Sequence, residues 1–275
     1  MYSCYVLDRG EAYYTVFMNL SLPLLVITFV FGTIIGSFLN VVILRIHTKR
    51  SLGGNSHCLS CGERLGVPDL VPILSYLILM ARCRHCGARI SPRYALIEAG
   101  TGGIFVFVAL LGLPPLLTGV LLIFLLLLLI VFVYDIEHLI IPDEYVIALT
   151  AVTLAVVSLG TASGETWLGH LLAPVCTFAF LGGLWKVSGG RWIGLGDAKL
   201  SVPLALMVGI SHAFSFIVFS FWIGALVSVG ILVSQRLMGG QRRLHFGAAP
   251  ITMSTEVPFA PFLIVSFVLV YFFHA

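Results

Sequence analysis

The chain has 275 residues, of which 59% are hydrophobic and only 10% charged, with a net charge of +3 and a mean hydropathy of +1.08. A soluble domain carries about 25% charged residues, and surface-to-volume scaling leaves too many residues facing water for a soluble fold to hide this much apolar surface. A water-soluble enzyme is therefore excluded, the lipid bilayer is the expected solvent, and no nucleic acid is expected as a partner.

Crossing a bilayer takes a helix of about 20 mostly apolar residues. The first fifteen residues hold Asp8, Arg9 and Glu11 and no basic cluster ahead of an apolar run, which predicts an uncleaved first span rather than a signal peptide. Spans are expected at 22–44, 94–113, 116–134, 145–159, 168–187, 198–210, 213–233 and 257–273. The sixth is short for a full crossing and is expected to be tilted or partly embedded.

Eight of the fifteen lysines and arginines lie in the first loop: Arg45, Lys49, Arg50, Arg64, Arg82, Arg84, Arg89 and Arg93. If that loop is cytoplasmic, eight spans put Lys186, Arg191, Lys199, Arg236, Arg242 and Arg243 on the same side and leave only Arg9 outside. The expectation is an all-α polytopic membrane protein of about eight transmembrane helices, both termini outside, with residues 1–21 as a non-cytoplasmic N-terminal segment.

The polar loop at 45–93 carries Cys58-Leu59-Ser60-Cys61 and Cys83-Arg84-His85-Cys86, twenty-one residues apart. Two C-x2-C knuckles at such a spacing build a tetrahedral thiolate site for zinc. Gly62 and Gly87 after the knuckles suit tight turns. The cytoplasm is reducing, so disulfides are not expected there. Four thiolates fill the coordination shell, which makes the predicted metal structural rather than catalytic. His57 and His85 neighbour the knuckles, while Cys4 and Cys176 read as small apolar residues. Asp69, before Pro72, reads as a turn residue.

Gly32, Gly36 and Asn40 fall at four-residue intervals on one face of the first span, which predicts a packing stripe with a polar tie. Ionisable groups beside a span are functional candidates by default, and two stand out. Asp135 ends the third span, and Asp197 opens the sixth within Gly194-Leu195-Gly196-Asp197-Ala198-Lys199. The predicted topology puts both at one depth on one side. Two aspartates facing each other across a partly dry gap cannot both ionise comfortably, so they can share a proton. One can then take a proton from water while the other donates to a scissile carbonyl. Gly194 and Gly196 are expected to allow unusual backbone conformations and close approach of a substrate.

Singly, Asp197 could be a helix N-cap and Asp135 a solvated helix-end carboxylate. Asp143 and Glu144 after Pro142 suit the first turn of the fourth span. Glu137 and His138 read as edge residues able to touch substrate. Lys199, Asp143 and Glu137 join the glycines as candidate support for the site.

These residues resemble the prepilin (type IV leader) peptidases, a family of GxGD-type membrane aspartic proteases. Gly36-Ser37-Phe38-Leu39-Asn40-Val41-Val42-Ile43 with Arg45 resembles the first-span signature. The paired knuckles, Pro72-Ile73-Leu74-Ser75-Tyr76, and Arg93-Tyr94 with Glu98 are similar to the family's cytoplasmic region. Asp135-Ile136-Glu137-His138 through Ile141-Pro142-Asp143, and Gly194 through Leu200, resemble its two aspartate motifs. Departures are Leu59, His47, Ala81 and Ala260, the first two standing where the family often has proline and the last two where it has glycine.

The resemblance implies cleavage of type IV prepilin or pseudopilin precursors after the leader glycine, at the cytoplasmic face of a bacterial inner membrane. It also implies N-methylation of the new terminus from S-adenosylmethionine, an activity associated with the region 22–113, leaving 114–275 as the peptidase domain.

Three other readings compete, of which a noncatalytic zinc-loop membrane scaffold gives no reason for the matched aspartates. A signal-peptide-peptidase or presenilin-like protease also pairs Tyr-Asp, as in Tyr134-Asp135, with Gly-x-Gly-Asp, but the chain has no Pro-Ala-Leu triplet near its end and that family has no cysteine loop. A proton-coupled transporter predicts midplane sites and repeated halves, whereas these aspartates sit at one edge.

Overall fold

The computed structural model of the protein describes residues 21–48, 53–159, 166–237, 245–246, 249–250 and 258–273. The N-terminal segment 1–20, with Cys4, Asp8, Arg9 and Glu11, lies outside the described residues, as do Lys49, Arg50, Arg242 and Arg243. Apart from one 3-10 turn and the two-residue strands β1 (His245–Phe246) and β2 (Ala249–Pro250), the described secondary structure is α-helical. The helices are α1 (Leu22–Thr48), α2 (Leu74–Ile78), α3 (Arg93–Leu110), α4 (Pro115–His138), α5 (Asp143–Ser158), α6 (Trp167–Ser188), α7 (Leu195–Val208), α8 (Ile210–Leu237) and α9 (Ala260–Phe273). Setting the short α2 aside, eight apolar helices follow the eight expected spans.

Of these, α1, α3, α4, α6 and α8 are long and apolar enough to cross a membrane unaided. The 14-residue α7 is only about 21 Å long at 1.5 Å per residue, against a core of about 30 Å. Shortness is tolerable for α7 because protein surrounds it. Ala198, Leu200, Ser201, Leu204 and Ala205 are fully buried, and α5, α6, α8 and α9 all pack on it.

Helix ends follow local chemistry. Leu139, at φ 55, stops α4, and Pro142 then opens α5 with Asp143 and Glu144 in its first turn, as expected. Thr166 caps α6 by accepting from the Gly169 amide at 3.2 Å, and Gly189, at φ 62, closes it. Gly209, at φ 81, breaks the chain between α7 and α8. The carbonyl of Leu206, in the last turn of α7, meets buried His170 Nδ1 of α6 at 2.8 Å. In lipid every backbone group needs such a partner.

The chain divides into two compact units, with the boundary inside α4. In the unit spanning 14–126, α1 packs on α3 along the predicted small-residue stripe. A Cβ on Gly32 would lie 2.8 Å from Gly102 Cα, and one on Gly36 would lie 2.8 Å from Glu98 Cα. Asn40 supplies the polar tie, donating from Nδ2 to the Tyr94 carbonyl at 3.1 Å.

The loop between these helices is held by short-range bonds. Asp69 makes its expected turn, accepting from the Gly66 amide at 3.1 Å, and also pairs with Arg84 at 2.8 Å. Desolvation works against it, but Arg84 and the Gly66 amide hold the Asp69 carboxyl below the usual value. Met80 and Ala81 sit at φ 49 and 58, a left-handed region that disfavours side chains. Ala81→Gly is expected to stabilise the protein by about 1 kcal/mol, read as a higher thermal midpoint of the purified protein; an unchanged or lower midpoint would contradict the strain.

In the other unit, Phe262 of α9 fills a notch at Gly224 of α8, where a Cβ would lie 3.0 Å from its ring. Phe259 packs on Phe221 with ring centres 5.1 Å apart and planes tilted by 45°, and Ser266 Oγ donates to the Phe216 carbonyl at 2.6 Å. These contacts fix the start of α9, which bears on the site below.

Candidate active site and metal centre

Asp135 lies in the last turn of α4 and Asp197 in the first turn of α7. Both are buried, at 5% and 8% exposure, and they are close enough for their charges to interact. Asp197 is the third helical residue of α7, not the N-cap; its Oδ2 accepts from the amide of the capping Gly194 at 3.1 Å. The Asp135 carboxyl takes a hydrogen bond from the Ala260 amide at the start of α9, while its buried Oδ2 has no hydrogen-bond partner among the described residues. An orphaned oxygen on a buried carboxyl calls for explanation; a second carboxyl and a water facing it would supply one.

The glycines act differently from the expectation. Gly194 has φ −77, and Gly196 is not among the positive-φ residues, so neither needs a conformation closed to other residues. What they provide is space. A Cβ on Gly196 would lie 3.3 Å from Ile141 Cβ, in the α4–α5 connection, and one on Gly194 would lie 3.1 Å from Asp197 Oδ2.

Lys199, one half-turn beyond Asp197, donates to both oxygens of Asp143 at 2.8 and 3.0 Å, joining the starts of α7 and α5. The pair is largely exposed and serves as a positional link more than as a source of stability. Glu137 is half-buried beside His138, whose Nε2 is 4.0 Å from its carboxylate, and His138 packs against Tyr134. The structure thus groups Asp135, Asp197, Gly194, Gly196, Lys199 and Asp143 around the facing ends of α4, α5 and α7, with Glu137 on the same last turn as Asp135.

Two residues that the sequence names only through the family resemblance have contacts that it did not foresee. Ala260 contributes through its backbone, which no side-chain pattern reveals. Glu98 is a buried carboxyl on α3 that accepts from the Ile73 amide at 2.7 Å. The same rule that singled out the aspartates, that a carboxylate within a span is functional by default, would have found it.

The four loop cysteines converge. The Sγ atoms of Cys58, Cys61, Cys83 and Cys86 all lie within 4.8 Å of one another, and Cys58 and Cys86 are 3.9 Å apart. A tetrahedral zinc with bonds of about 2.3 Å sets sulfur–sulfur edges near 3.8 Å, so the cluster fits that ion closely. The knuckles are built alike. In each, the first cysteine's carbonyl accepts from a glycine amide, Gly62 to Cys58 at 2.9 Å and Gly87 to Cys83 at 3.0 Å. Both glycines have positive φ, and bridges His57–Arg64 and Arg82–Arg89 close the two turns. His57 and His85 stand outside the convergent group. The amides of Cys61 and Ser60 lower the Cys58 thiol to about 6. The Glu63 backbone favours the Cys61 thiolate, but desolvation and the neighbouring thiols push Cys61 up to about 11. Crowded thiols of this kind ionise together only around a cation.

A helical membrane protein with paired buried aspartates at helix ends and a tetra-thiol loop has the parts of a membrane aspartic peptidase. Comparison with known proteins makes the class specific. The Bacterial Peptidase A24 N-terminal domain matches residues 30–111 and the Type IV leader peptidase family matches residues 122–229. The chain is 32% identical over 242 residues to the Prepilin leader peptidase/N-methyltransferase of Myxococcus xanthus, covering 84% of this chain and 71% of that one. It is 36% identical over 199 residues to the protein of that name from Klebsiella pneumoniae, covering 66% and 83%, and 29% identical over 251 residues to that of Bacillus subtilis, covering 91% and 94%. No solved structure matches. The chain belongs to the type IV leader peptidase family, as a multi-pass membrane enzyme. The matches take in the cysteine loop as well as both aspartates, and the presenilin-like reading has no place for that loop.

Proposed function

We propose that the protein cleaves the leader peptides of type IV prepilin-like precursors after the leader glycine, using Asp135 and Asp197 as a proton-sharing pair. The observation that carries this reading is the burial of both carboxyls within electrostatic reach of each other, with Asp135 Oδ2 unpartnered among the described residues.

In the proposed reaction one carboxylate accepts a proton from a water held between the pair. The water oxygen attacks the scissile carbonyl while the protonated partner hydrogen-bonds its oxygen, giving a tetrahedral intermediate. Collapse breaks the C–N bond, and the proton first taken from water passes to the leaving amine. The titration belongs to the pair, so neither residue is fixed as the base. The Gly194 amide orients Asp197 and the Ala260 amide orients Asp135, leaving a free edge on each. Lys199 and Asp143 keep the α7 start in register with α5, and Glu137 stands at the rim.

Zinc, held by Cys58, Cys61, Cys83 and Cys86, would tie the two knuckles into one folded loop and take no part in hydrolysis. The relatives' name, N-methyltransferase, supports methylation of the new terminus from S-adenosylmethionine. The clustering of basic residues on one side supports an inner-membrane location with the site facing the cytoplasm.

Incubating the purified protein in vesicles with a pilin precursor, with and without S-adenosylmethionine, tests both activities. Mass spectrometry of the product should show loss of the leader in both samples, and a 14 Da gain only with the donor by the chemistry of methyl transfer. An intact precursor in both would overturn the reading.

Gly196→Val is expected to press on Ile141 and shift Asp197, lowering cleavage about a hundredfold. Adding Ile141→Ala should restore part of the rate. Normal cleavage by Gly196→Val would show that the close approach is irrelevant to the site.

A further inference from the structure

The segment from Pro72 to Met80 presents apolar side chains that none of the described residues covers. Leu74, Leu77, Ile78 and Met80 are 57%, 62%, 75% and 82% exposed. In water such a run would be an anomaly. Its place beside α3 explains it. Glu98, five residues into that span-length apolar helix, accepts from the Ile73 amide at 2.7 Å. Helical side chains lean toward the N-terminus, so the start of α2 is tied to the first turns of α3, at the end where a span meets the headgroups. Ile73, at φ 60, turns the chain into α2, and Met80 and Ala81, at φ 49 and 58, turn it out again. Exposed Arg82 and Arg89 follow where the chain returns outward.

We propose that residues 72–80 form an interfacial anchor, with Leu74, Leu77, Ile78 and Met80 seated in the headgroup–acyl boundary of the bilayer that the helices span. Arg82 and Arg89 lie at the level of the lipid phosphates, which are the groups that their charge fits. The bond between Ile73 and Glu98 serves both partners, since a carboxylate within a span needs a donor and a re-entrant backbone needs an acceptor. The anchor holds the cysteine loop against the membrane surface. This inference concerns the 14–126 unit alone and does not depend on the peptidase reading.

Ile78→Cys and, as a control on the exposed first knuckle, Glu63→Cys test it. Each variant is reconstituted into phosphatidylethanolamine–phosphatidylglycerol vesicles and treated with a membrane-impermeant maleimide. Mass spectrometry of the substituted peptide separates its label from that on native thiols. The substituted position 78 should react at least about tenfold more slowly than position 63, and equal rates would overturn the proposal. A photoreactive benzoylphenylalanine at position 78 identifies what covers it. Adducts with lipid acyl chains support the anchor, and adducts confined to a second copy of the chain or to another protein overturn it. Ile78 is exposed, so neither replacement disturbs the packed core.

Discussion

Asp135→Asn and Asp197→Asn are each expected to lower leader cleavage by a thousandfold or more, on the order seen when a group acting within a catalytic unit is removed. A carboxamide can neither take a proton from water nor share one with its neighbour. Both replacements preserve the local structure. Asn at 197 retains an oxygen for the Gly194 amide, and Asn at 135 retains one for the Ala260 amide. The variants should therefore accumulate in the membrane at the normal level while precursor builds up uncut. Immunoblots of precursor and enzyme in the same membranes read both quantities. Persistent cleavage by either variant would remove that residue from the mechanism.

The second large effect concerns the cysteine loop. Cys58→Ser or Cys83→Ser is expected to reduce bound zinc from about one per chain to near none, because three thiolates and a hydroxyl hold the ion far less well. Structural zinc contributes about 10–16 kcal/mol in finger-like peptides, more than this loop's short-range hydrogen bonds can replace. Among its cysteines only Cys83 is buried, so no apolar core of cysteine and neighbours stands in for the metal. Trypsin should then cut at Arg82, Arg84 and Arg89, which are exposed. Metal analysis of the purified variants decides the matter, and an unchanged metal-to-protein ratio would refute the site.

Features written in local chemistry were legible in the sequence. The eight apolar stretches, the Gly32–Gly36–Asn40 face and the C-x2-C knuckles depend on composition and spacing, and the helices, the α1–α3 contact and the thiol cluster follow them. Features made by distant chain segments were not. Nothing near Gly196 in sequence announces that Ile141 lies against it; of the two needs expected of this glycine, unusual backbone conformation and close approach, the first is not required by its backbone and the space it leaves is taken up by Ile141. The amide of Ala260 reaches Asp135 only because Phe259 and Phe262 pin the start of α9 to α8. The shortness of α7 was visible, but not its reason, which is enclosure by four other helices. The return of Ile73 to Glu98 likewise needed the folded loop to be seen.

The central claim is that two carboxyls remote in sequence occupy one site. Cross-linking in native membranes measures this directly, using the double variant Asp135→Cys/Asp197→Cys and a short thiol-to-thiol reagent, with Asp143→Cys/Lys199→Cys as the positive control, because Lys199 Nζ reaches Asp143 Oδ1 at 2.8 Å and the reagent takes the place of the longer lysine arm. A linked peptide pair containing positions 135 and 197 is expected in the first variant, as readily as the linked pair in the control. Efficient linking in the control with none between 135 and 197 would contradict it.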